Sequence, residues 1–279
     1  MKLAYFPEQT ALQSEPVWRA FLEGCKKHGI DSIENDINAD AAVIWSVLWH
    51  GRLRPNLSVY KHFRSQNKPV FIIEVGSLHR GKTWKVSVNH ITNEGIYGNK
   101  TDWTPNRDKF LNINLMPEKR ICKGQVLIAC QHNSSHQWPS TMSVESWIKQ
   151  QVDQVRQVTD ARIIVRQHPR CRITPFHLPN VSFTTPVKIP NTYDMFDINY
   201  NYDFVINYNS GVGIQAAIAG TPVIVDPSSL AYPVSSTLAN LNMPDRTTWF
   251  QEILHTEWTV EEIAEGIPQK RLLKELTLI

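Results

Sequence analysis

The sequence lacks the spacings that hold metals or build disulfide frameworks. Its 279 residues contain four cysteines, with no Cys-x-x-Cys pair, and no Asp-x-Asp triplet occurs. Scattered cysteines argue against a zinc knuckle and against a disulfide-stapled scaffold. We therefore expect Cys25, Cys122, Cys130 and Cys171 to be buried, reduced thiols, and we expect no metal site.

Long apolar runs and strong net charge are also missing. Apolar stretches such as Ala41–Trp45 and Val70–Ile73 are far shorter than the roughly 20 residues that cross a bilayer. The first residues turn polar too early for a signal peptide, so we expect a cytoplasmic protein without a membrane span. A formal net charge of +3 neither demands nor excludes nucleic-acid binding. Local clusters must decide that question.

What the sequence does contain is an alternation of buried strands with amphipathic helices. Short continuous apolar runs are typical of parallel strands that are buried on both faces, and helix-spaced apolar residues lie between them. No Gly-x-Gly-x-x-Gly follows the first strand, which disfavours a Rossmann-type oxidoreductase. The alternation predicts an α/β fold with two Rossmann-like, doubly wound domains and a cleft between them.

The predicted domain boundary lies in a polar stretch at 101–119 that contains Pro and Asn. We assign 1–115 to an N-terminal domain and 116–279 to a C-terminal domain whose last helix is able to cross back. The predicted strands are Lys2–Phe6, Ala41–Trp45, Val70–Ile73, Gln125–Cys130, Arg162–Val165, Asp203–Asn207 and Pro222–Asp226. The predicted helices are Glu15–His28, Asn56–Gln66, Ser143–Val158, Gly211–Ala219, Glu261–Glu265 and Gln269–Leu276.

The segment from Asp203 to Asp226 carries the clearest binding signal. A buried strand ends at Asn207, and the turn Asn209-Ser210-Gly211 opens a helix that also carries Gln215. Free N–H groups and the helix dipole make such a start an anion site. The alternative is that Asn209 and Ser210 only cap a packing helix.

Two further loops follow buried strands and hold candidate anion ligands. His168-Pro169 follows the strand Arg162–Val165 after two residues, with Arg166 and Arg170 nearby, and these side chains are able to bind phosphate oxygens. Gln131 and Ser134 lie in a hydroxyl-rich loop after Gln125–Cys130. The alternatives are a structural histidine and an ordinary polar turn.

A carboxylate marks the corresponding position in the first half of the chain. Glu74 follows the strand Val70–Ile73, and a glycine turn then leads to His79 and Arg80. A carboxylate at that edge is suited to act as a general base. The other interpretation is a turn-stabilising Glu74 paired with Arg80.

Taken in order, these segments resemble bacterial capsule polysaccharide synthesis transferases and, more loosely, sialyltransferase-like GT-B enzymes. Ile73–Arg80 stands where that family has strand-Glu-Asp-Gly-Phe-Leu-Arg, and Ala129–His132 where it has a Gly-Gln-Val-type loop. His168-Pro169 matches its His-Pro motif, and Asn209–Ala216 matches its Asn-Ser-Ser-x-Gly-x-Glu-Ala helix start. Val75 replaces the second acidic residue, and Gln215 replaces a common donor-binding Glu.

The resemblance implies a GT-B glycosyltransferase that needs no metal or other cofactor and uses a nucleotide sugar as co-substrate. The C-terminal domain would hold the donor, and the N-terminal domain would face the acceptor. Glu74 and His79 are then the candidate catalytic residues. The candidate donor-binding residues are Gln131, Ser134, Arg166, His168, Arg170, Asn209, Ser210, Gly211 and Gln215.

Other stretches, including Ala42–Gly51 and Leu78–Lys85, look like proteins of tailed bacteriophages. That resemblance implies DNA with 5-hydroxymethylated pyrimidines as the acceptor. Basic groups would bind phosphates, and an aromatic ring would fill the space of a flipped-out base. The candidate acceptor residues, all expected on or near loops, are Trp49, Arg52, Arg80, Lys82, Trp84 and Lys85. The alternative is that they form only a solvated basic loop.

Three other functions remain open on the sequence. A surface-polysaccharide transferase would share the fold and donor site but would ignore DNA. A nucleotide-sugar epimerase would need no acceptor, and a non-catalytic nucleotide-binding module would bind a donor without turnover. Fold analogy alone does not separate them.

Overall fold

The computed structural model describes residues 1–119 and 123–276, and Cys122 lies outside them. Its contacts divide the chain into two compact units, Met1–Pro105 with Glu252–Ile279, and Asn106–Gln251. This division falls after Pro105 and not at the expected 115/116, and it assigns the segment from Glu252, which contains the last helix, to the first unit. In the described part of the chain, no helix is long and apolar enough to cross a membrane.

The elements alternate along both units. The strands are β1 (Lys2–Tyr5), β2 (Asp31–Glu34), β3 (Ala41–Trp45), β4 (Val70–Val75), β5 (Trp84–Val88), β6 (Gln125–Ala129), β7 (Arg162–Arg166), β8 (Val181–Thr184), β9 (Phe204–Asn207), β10 (Val223–Val225) and β11 (Glu257–Trp258). The helices are α1 (Glu15–Lys27), α2 (Asn56–Ser65), α3 (Arg107–Leu111), α4 (Val144–Arg156), α5 (Gly211–Ile218), α6 (Thr247–Leu254), α7 (Val260–Ala264) and α8 (Ile267–Leu276).

The first unit contains a six-stranded sheet in the order β11-β5-β4-β3-β1-β2. β2, β1, β3 and β4 run parallel, while β5 is antiparallel to both β4 and β11. All five residues of β3 are buried, as expected of a strand covered on both faces. The strand order reverses between β1 and β3, which are joined to their outer neighbours by α1 and α2.

The second unit contains a five-stranded, wholly parallel sheet in the order β10-β9-β6-β7-β8. Its core packs the buried apolar faces of β6, β7 and β9 against α4, with Trp138 and Trp147 in edge-to-face contact. The chain winds outward from β6 to β8, then returns to β9 beside β6. The topological switch point therefore lies between β6 and β9, where open α/β sheets bind their ligands.

The described cysteines agree with the expectation of free thiols. Cys25 and Cys130 are buried, and Cys171 is partly buried. Burial raises the pKa of Cys25 and of Cys130 to about 12. Both thiols are therefore protonated at neutral pH and are weak nucleophiles.

Candidate functional site

Asn207 joins the two central strands at the switch point of the second unit. Its Nδ2 donates to Ala129 O, at the end of β6, over 3.0 Å, and lies 3.0 Å from Ser210 Oγ. Asn207 is 1% exposed, so these bonds replace water for a buried amide. The side chain therefore ties β6 to the turn that begins α5. Asn207 is not among the site residues predicted from the sequence.

Asn209 connects the same turn to the loop after β6. Its backbone N–H donates to Gln131 Oε1 over 3.2 Å, and its Nδ2 donates to Ser228 Oγ over 2.8 Å. The side chain is 7% exposed, and its Oδ1 has no hydrogen-bond partner among residues 1–119 and 123–276. A buried acceptor without a donor costs free energy unless a ligand supplies one.

The start of α5 has no side-chain cap. Ser210 has extended backbone, and its hydroxyl does not cap the helix but bonds Asn207. Gly213 in the first turn packs tightly, because a Cβ there would lie 3.0 Å from Val225 Cγ1. With no side-chain cap, the helix dipole and its leading N–H groups favour an anion at this end.

Two histidine rings lie together at the ends of β6 and β7. The His132 and His168 ring centroids are 5.2 Å apart, with nearly perpendicular planes. Each Nδ1 accepts a backbone N–H, from Ser134 over 3.0 Å and from Arg170 over 3.2 Å. An accepting Nδ1 means that the neutral ring carries its proton on Nε2.

The other predicted donor residues make contacts with the segment at 194–200. Arg166 bonds the Asp197 carbonyl and lies 3.7 Å from its carboxylate, and Arg170 pairs with Asp194. Burial lowers the pKa of Arg166, and Asp197 opposes that shift. The positive charges of Arg166 and Arg170 are therefore balanced by Asp197 and Asp194, so this pair of residues adds no net positive charge to the site.

Gln215 and Ser134 also have identifiable contacts. Gln215 Oε1 accepts the Tyr200 hydroxyl over 2.5 Å, and burial raises the pKa of Tyr200. Ser134 Oγ donates to Asn133 Oδ1 over 3.2 Å and is partly buried. Of the predicted set, the contacts above therefore bring together Gln131, Asn209 and Ser210 most directly. His132 also belongs to this group, although it was not predicted as a donor-binding residue. Its position next to Gln131 in the sequence was the available signal.

In the first unit, Glu74 is held by two donors. β4 continues to Val75, so Glu74 lies inside the strand and not beyond it. Ser46 Oγ donates to Glu74 Oε2 over 2.5 Å, and Val75 N donates to Oε1 over 2.8 Å. Ser46 is 4% exposed and has a left-handed φ of 63°, which is uncommon for a serine and typical of functional sites. Sequence reasoning missed Ser46.

The turn after β4 carries His79 and is organised by Glu257 of β11. Glu257 Oε1 accepts from Ser77 N over 2.6 Å and from Ser77 Oγ over 2.7 Å. Its Oε2 accepts from Leu78 N and from Thr83 Oγ1, each over 2.9 Å. His79 N bonds Thr83 Oγ1 over 3.1 Å. Glu257 was also missed, because nothing local signals its burial.

Burial removes two side chains from the predicted DNA-binding set. Trp84 is 3% exposed and packs on Trp45 with ring centroids 5.6 Å apart, and Lys85 is 7% exposed. Both belong to β5, which lies between β4 and β11 and not in a basic loop. Their side chains therefore cannot meet a DNA backbone without unfolding the sheet.

The remaining four acceptor candidates stay near the surface. Arg52 and Lys82 are exposed, and Arg80 is partly buried. Trp49 is also partly buried and packs on Tyr60, with ring centroids 5.8 Å apart. No group of three His, Cys, Asp or Glu side chains within the described residues has a metal-binding arrangement.

The sequence matches no protein-family model, and no curated protein is significantly similar to it. Among solved structures, the chain is similar to the KpsC β-Kdo 2,4 transferase of Thermosulfurimonas dismutans, with a TM-score of 0.52 at 12% identity. The match covers 96% of this chain and 98% of that one. The fold is of the GT-B type. The prediction of an α/β protein with two Rossmann-like domains is confirmed.

Two other solved structures align over the full length of this chain with lower TM-scores. The UDP-GlcNAc 2-epimerase of Methanocaldococcus jannaschii, in complex with UDP-GlcNAc and UDP, gives 0.34 at 12% identity and is itself fully covered. Anabaena Alr3699/HepE, in complex with UDP and glucose, gives 0.33 at 10% identity, again over its whole length.

Proposed function

We propose that the protein is a glycosyltransferase that moves a sugar from a nucleotide-sugar donor to a hydroxyl acceptor. The observation that carries the proposal is the switch point of the second unit, where Gln131 bonds Asn209 at the uncapped start of α5. The fold is shared with a sugar transferase, KpsC. Because one fold hosts many functions, the site residues, and not the fold alone, support the proposal.

The switch point offers three kinds of group to a donor. The start of α5 favours the diphosphate through its N–H groups and dipole, and the Nε2–H groups of His132 and His168 are further donors to phosphate oxygens. Asn209 Oδ1, the buried acceptor, is suited to a hydroxyl of the ribose or sugar. Neutralising the leaving diphosphate in this way requires no bound metal.

Glu74 is proposed as the general base. Its oxygens accept hydrogen bonds from Ser46 Oγ and Val75 N, which fix the carboxylate in place and leave further lone pairs for a proton. The acceptor hydroxyl gives its proton to Glu74, and its oxygen forms a bond to the anomeric carbon. The bond from that carbon to the donor phosphate breaks, and the nucleotide leaves with the electron pair. His79 lies on the turn after Glu74 and is kept as a secondary candidate.

The first experiment is nucleotide release from a panel of UDP-, GDP- and CMP-sugars. Each donor is incubated with DNA containing 5-hydroxymethylcytosine, with a saccharide acceptor, or with neither, and products are resolved by chromatography. Acceptor-dependent release with a mass gain on the acceptor supports transfer. Isomerised donor without an acceptor would establish an epimerase instead, and donor binding without any turnover would establish a non-catalytic module. Release is expected to persist in EDTA, and its loss would overturn metal independence.

His168→Ala is expected to weaken binding of the cognate nucleoside diphosphate by roughly 10- to 100-fold. The ring supplies a hydrogen bond to a charged phosphate, and such bonds contribute about 1.5–3 kcal/mol. Isothermal titration calorimetry measures the change. The matched control is His177→Ala, which removes an exposed histidine of the same unit and should leave affinity unchanged. Equal affinities for both variants would contradict the donor-site assignment.

With Trp84 and Lys85 buried, the hypothesis of a DNA acceptor rests on the exposed cations of the first unit, Arg52 and Lys82. The Arg52→Ala/Lys82→Ala variant is expected to bind hydroxymethylated DNA more weakly and with a shallower salt dependence. Each phosphate contact that is lost reduces the slope of log K against log salt by about 0.9. Lys61→Ala, also exposed in the first unit, serves as the control. Salt-insensitive binding, or none, would remove DNA as the acceptor and favour a surface glycan.

A further inference from the structure

Three ionisable side chains form a row across β4, β5 and β11. Glu74 is paired in register with Lys85, and Lys85 is paired in register with Glu257. Residues directly opposite one another on antiparallel strands share a face of the sheet, with Cβ atoms about 5 Å apart. The row therefore places one lysine between two carboxylates. Two of its members come from sequence positions that the proposed mechanism does not use.

Glu257 is the fixed end of this row. It is fully buried and accepts four hydrogen bonds from the turn that follows β4. These four donors hold both carboxylate oxygens of Glu257 against the turn. Gly76 leaves room for this carboxylate, because a Cβ there would lie 2.4 Å from Glu257 Oε2. Glu257 is thus held by the turn at the position that is paired in register with Lys85.

Lys85 is the central cation. It is 7% exposed, and burial lowers its pKa, while the carboxylates of Glu257 and Glu74 oppose that shift. A buried ammonium is costly unless opposite charge offsets it. The sheet supplies that charge from both neighbouring strands. The cation in turn offsets the repulsion that two carboxylates on one face would otherwise exert.

We infer that Lys85 is a positioning residue for Glu74, held in place by Glu257, and that its charge orients the Glu74 carboxylate for proton abstraction. The inference rests on the proposed function for its consequence in catalysis. Its electrostatic part concerns the row alone. β11 thus has a role beyond extending the sheet, because it supplies the carboxylate that retains Lys85 in the buried row.

Other titratable groups near the row come from the elements around it. Tyr97 follows β5, and burial and the charge of Glu257 raise its pKa well above the ordinary value. The turn between β4 and β5 carries His79, Arg80 and Lys82. Ser46, at the end of β3, contributes a hydroxyl and no charge. Lys85 is the cation paired in register with Glu74, so its removal should dominate the effect on that carboxylate.

The direct test follows the protonation of Glu74 by NMR. Protein labelled with ¹³C at the Glu side-chain carboxyl is titrated as wild type and as Lys85→Met, and the Glu74 signal is assigned by its loss in Glu74→Gln. The titration midpoint is expected to rise by about one pH unit or more, since a nearby opposite charge shifts a carboxyl by about 1–3 units. An unchanged midpoint would overturn the inference.

Two further variants separate positioning from general stability. Lys85→Met/Glu257→Gln removes one charge of each sign and so keeps the net charge of the row, which makes it the variant to use if Lys85→Met does not fold. Lys85 lies one strand from Glu74 and Glu257 lies two, so the midpoint should still rise in the double variant. Lys85→Arg, which retains the positive charge, should keep the wild-type midpoint of Glu74. A double variant with the wild-type midpoint would show that Lys85 acts only by balancing Glu257.

Kinetics supply the functional arm. With a donor and acceptor found by nucleotide release, Lys85→Met should lower kcat at least 10-fold and leave the donor KM within about 3-fold. A rise in donor KM as large as the fall in kcat would indicate general disruption of the site and would contradict a positioning role. If wild type turns over no donor, the proposed function fails, while the NMR titration still decides whether Lys85 controls Glu74.

Discussion

Glu74→Gln is expected to lower kcat for sugar transfer by about 10²- to 10⁴-fold, the range that a positioned general base contributes. The amide keeps the size and hydrogen-bonding shape of the side chain but cannot take the acceptor proton. The amide oxygen can accept from Val75 N while the amide Nε2–H donates to Ser46 Oγ, so the local structure should survive. Nucleoside diphosphate affinity should stay within about 2-fold, because donor-binding groups are assigned to the second unit. Steady-state kinetics and calorimetry measure the two effects.

The control for this variant is Glu15→Gln. Glu15 is an exposed carboxylate of the same unit that pairs with Arg19 on the surface of α1. Surface pairs of this kind contribute little, so neither rate nor stability should change measurably. If Glu74→Gln retains wild-type turnover, Glu74 is not the base, and His79→Ala becomes the variant to test next.

Gly76→Ala is expected to cost roughly 3–5 kcal/mol in unfolding free energy and to disorder the turn at 76–83. A Cβ at Gly76 would lie 2.3 Å from Thr83 O and 2.6 Å from Thr83 Oγ1. Overpacking costs about 1–3 kcal/mol, and each buried hydrogen bond left unmade costs about 1–3 more. The bond from Gly76 N to Thr83 O and those to Glu257 are the ones at risk.

Hydrogen exchange of the peptide spanning 76–83, together with urea unfolding, measures this loss. Ser77 and Leu78 amides, which donate to Glu257, should lose their protection. Gly29→Ala is the matched control, because its Cβ meets nothing within 4 Å and only its φ of 69° is unfavourable. That strain costs about 1–2 kcal/mol. Equal losses for both variants would show that the close contacts at Gly76 are relieved without disturbing the turn.

The sequence by itself determined the buried parallel strands and the helices that follow them. The apolar run Ala41–Trp45 forms β3 with the predicted bounds, and Gln125–Ala129 and Phe204–Asn207 form β6 and β9 within one residue of theirs. A strand covered on both faces has a continuous apolar signature, which needs no knowledge of its partners. The turn Asn209-Ser210-Gly211 likewise predicted the start of α5, because small polar residues and glycine are favoured at helix N-termini and in turns.

Strands with mixed or charged sequences escaped prediction. The run Trp84–Val88 contains Lys85 and Ser87 and reads as a basic loop, yet all five residues of β5 are buried. β2 is exposed along its length, so no apolar run marks it. β8 is only partly buried, so its sequence also lacks a continuous apolar run. Their strand character comes from pairing with neighbours, which local sequence does not encode.

Only the tertiary structure decided how the first unit completes its carboxylate site. Glu257 bonds Ser77 across a separation of 180 residues, and Ser46 bonds Glu74 across 28. Nothing in the residues around Glu257 distinguishes it from a surface carboxylate. Its burial depends on the turn at 76–83, which lies far from it in the sequence. Local pattern thus specified which segments become strands and helices. The return of β11 to the first sheet decided which charges meet, since an ion's environment is set by whatever the fold brings beside it.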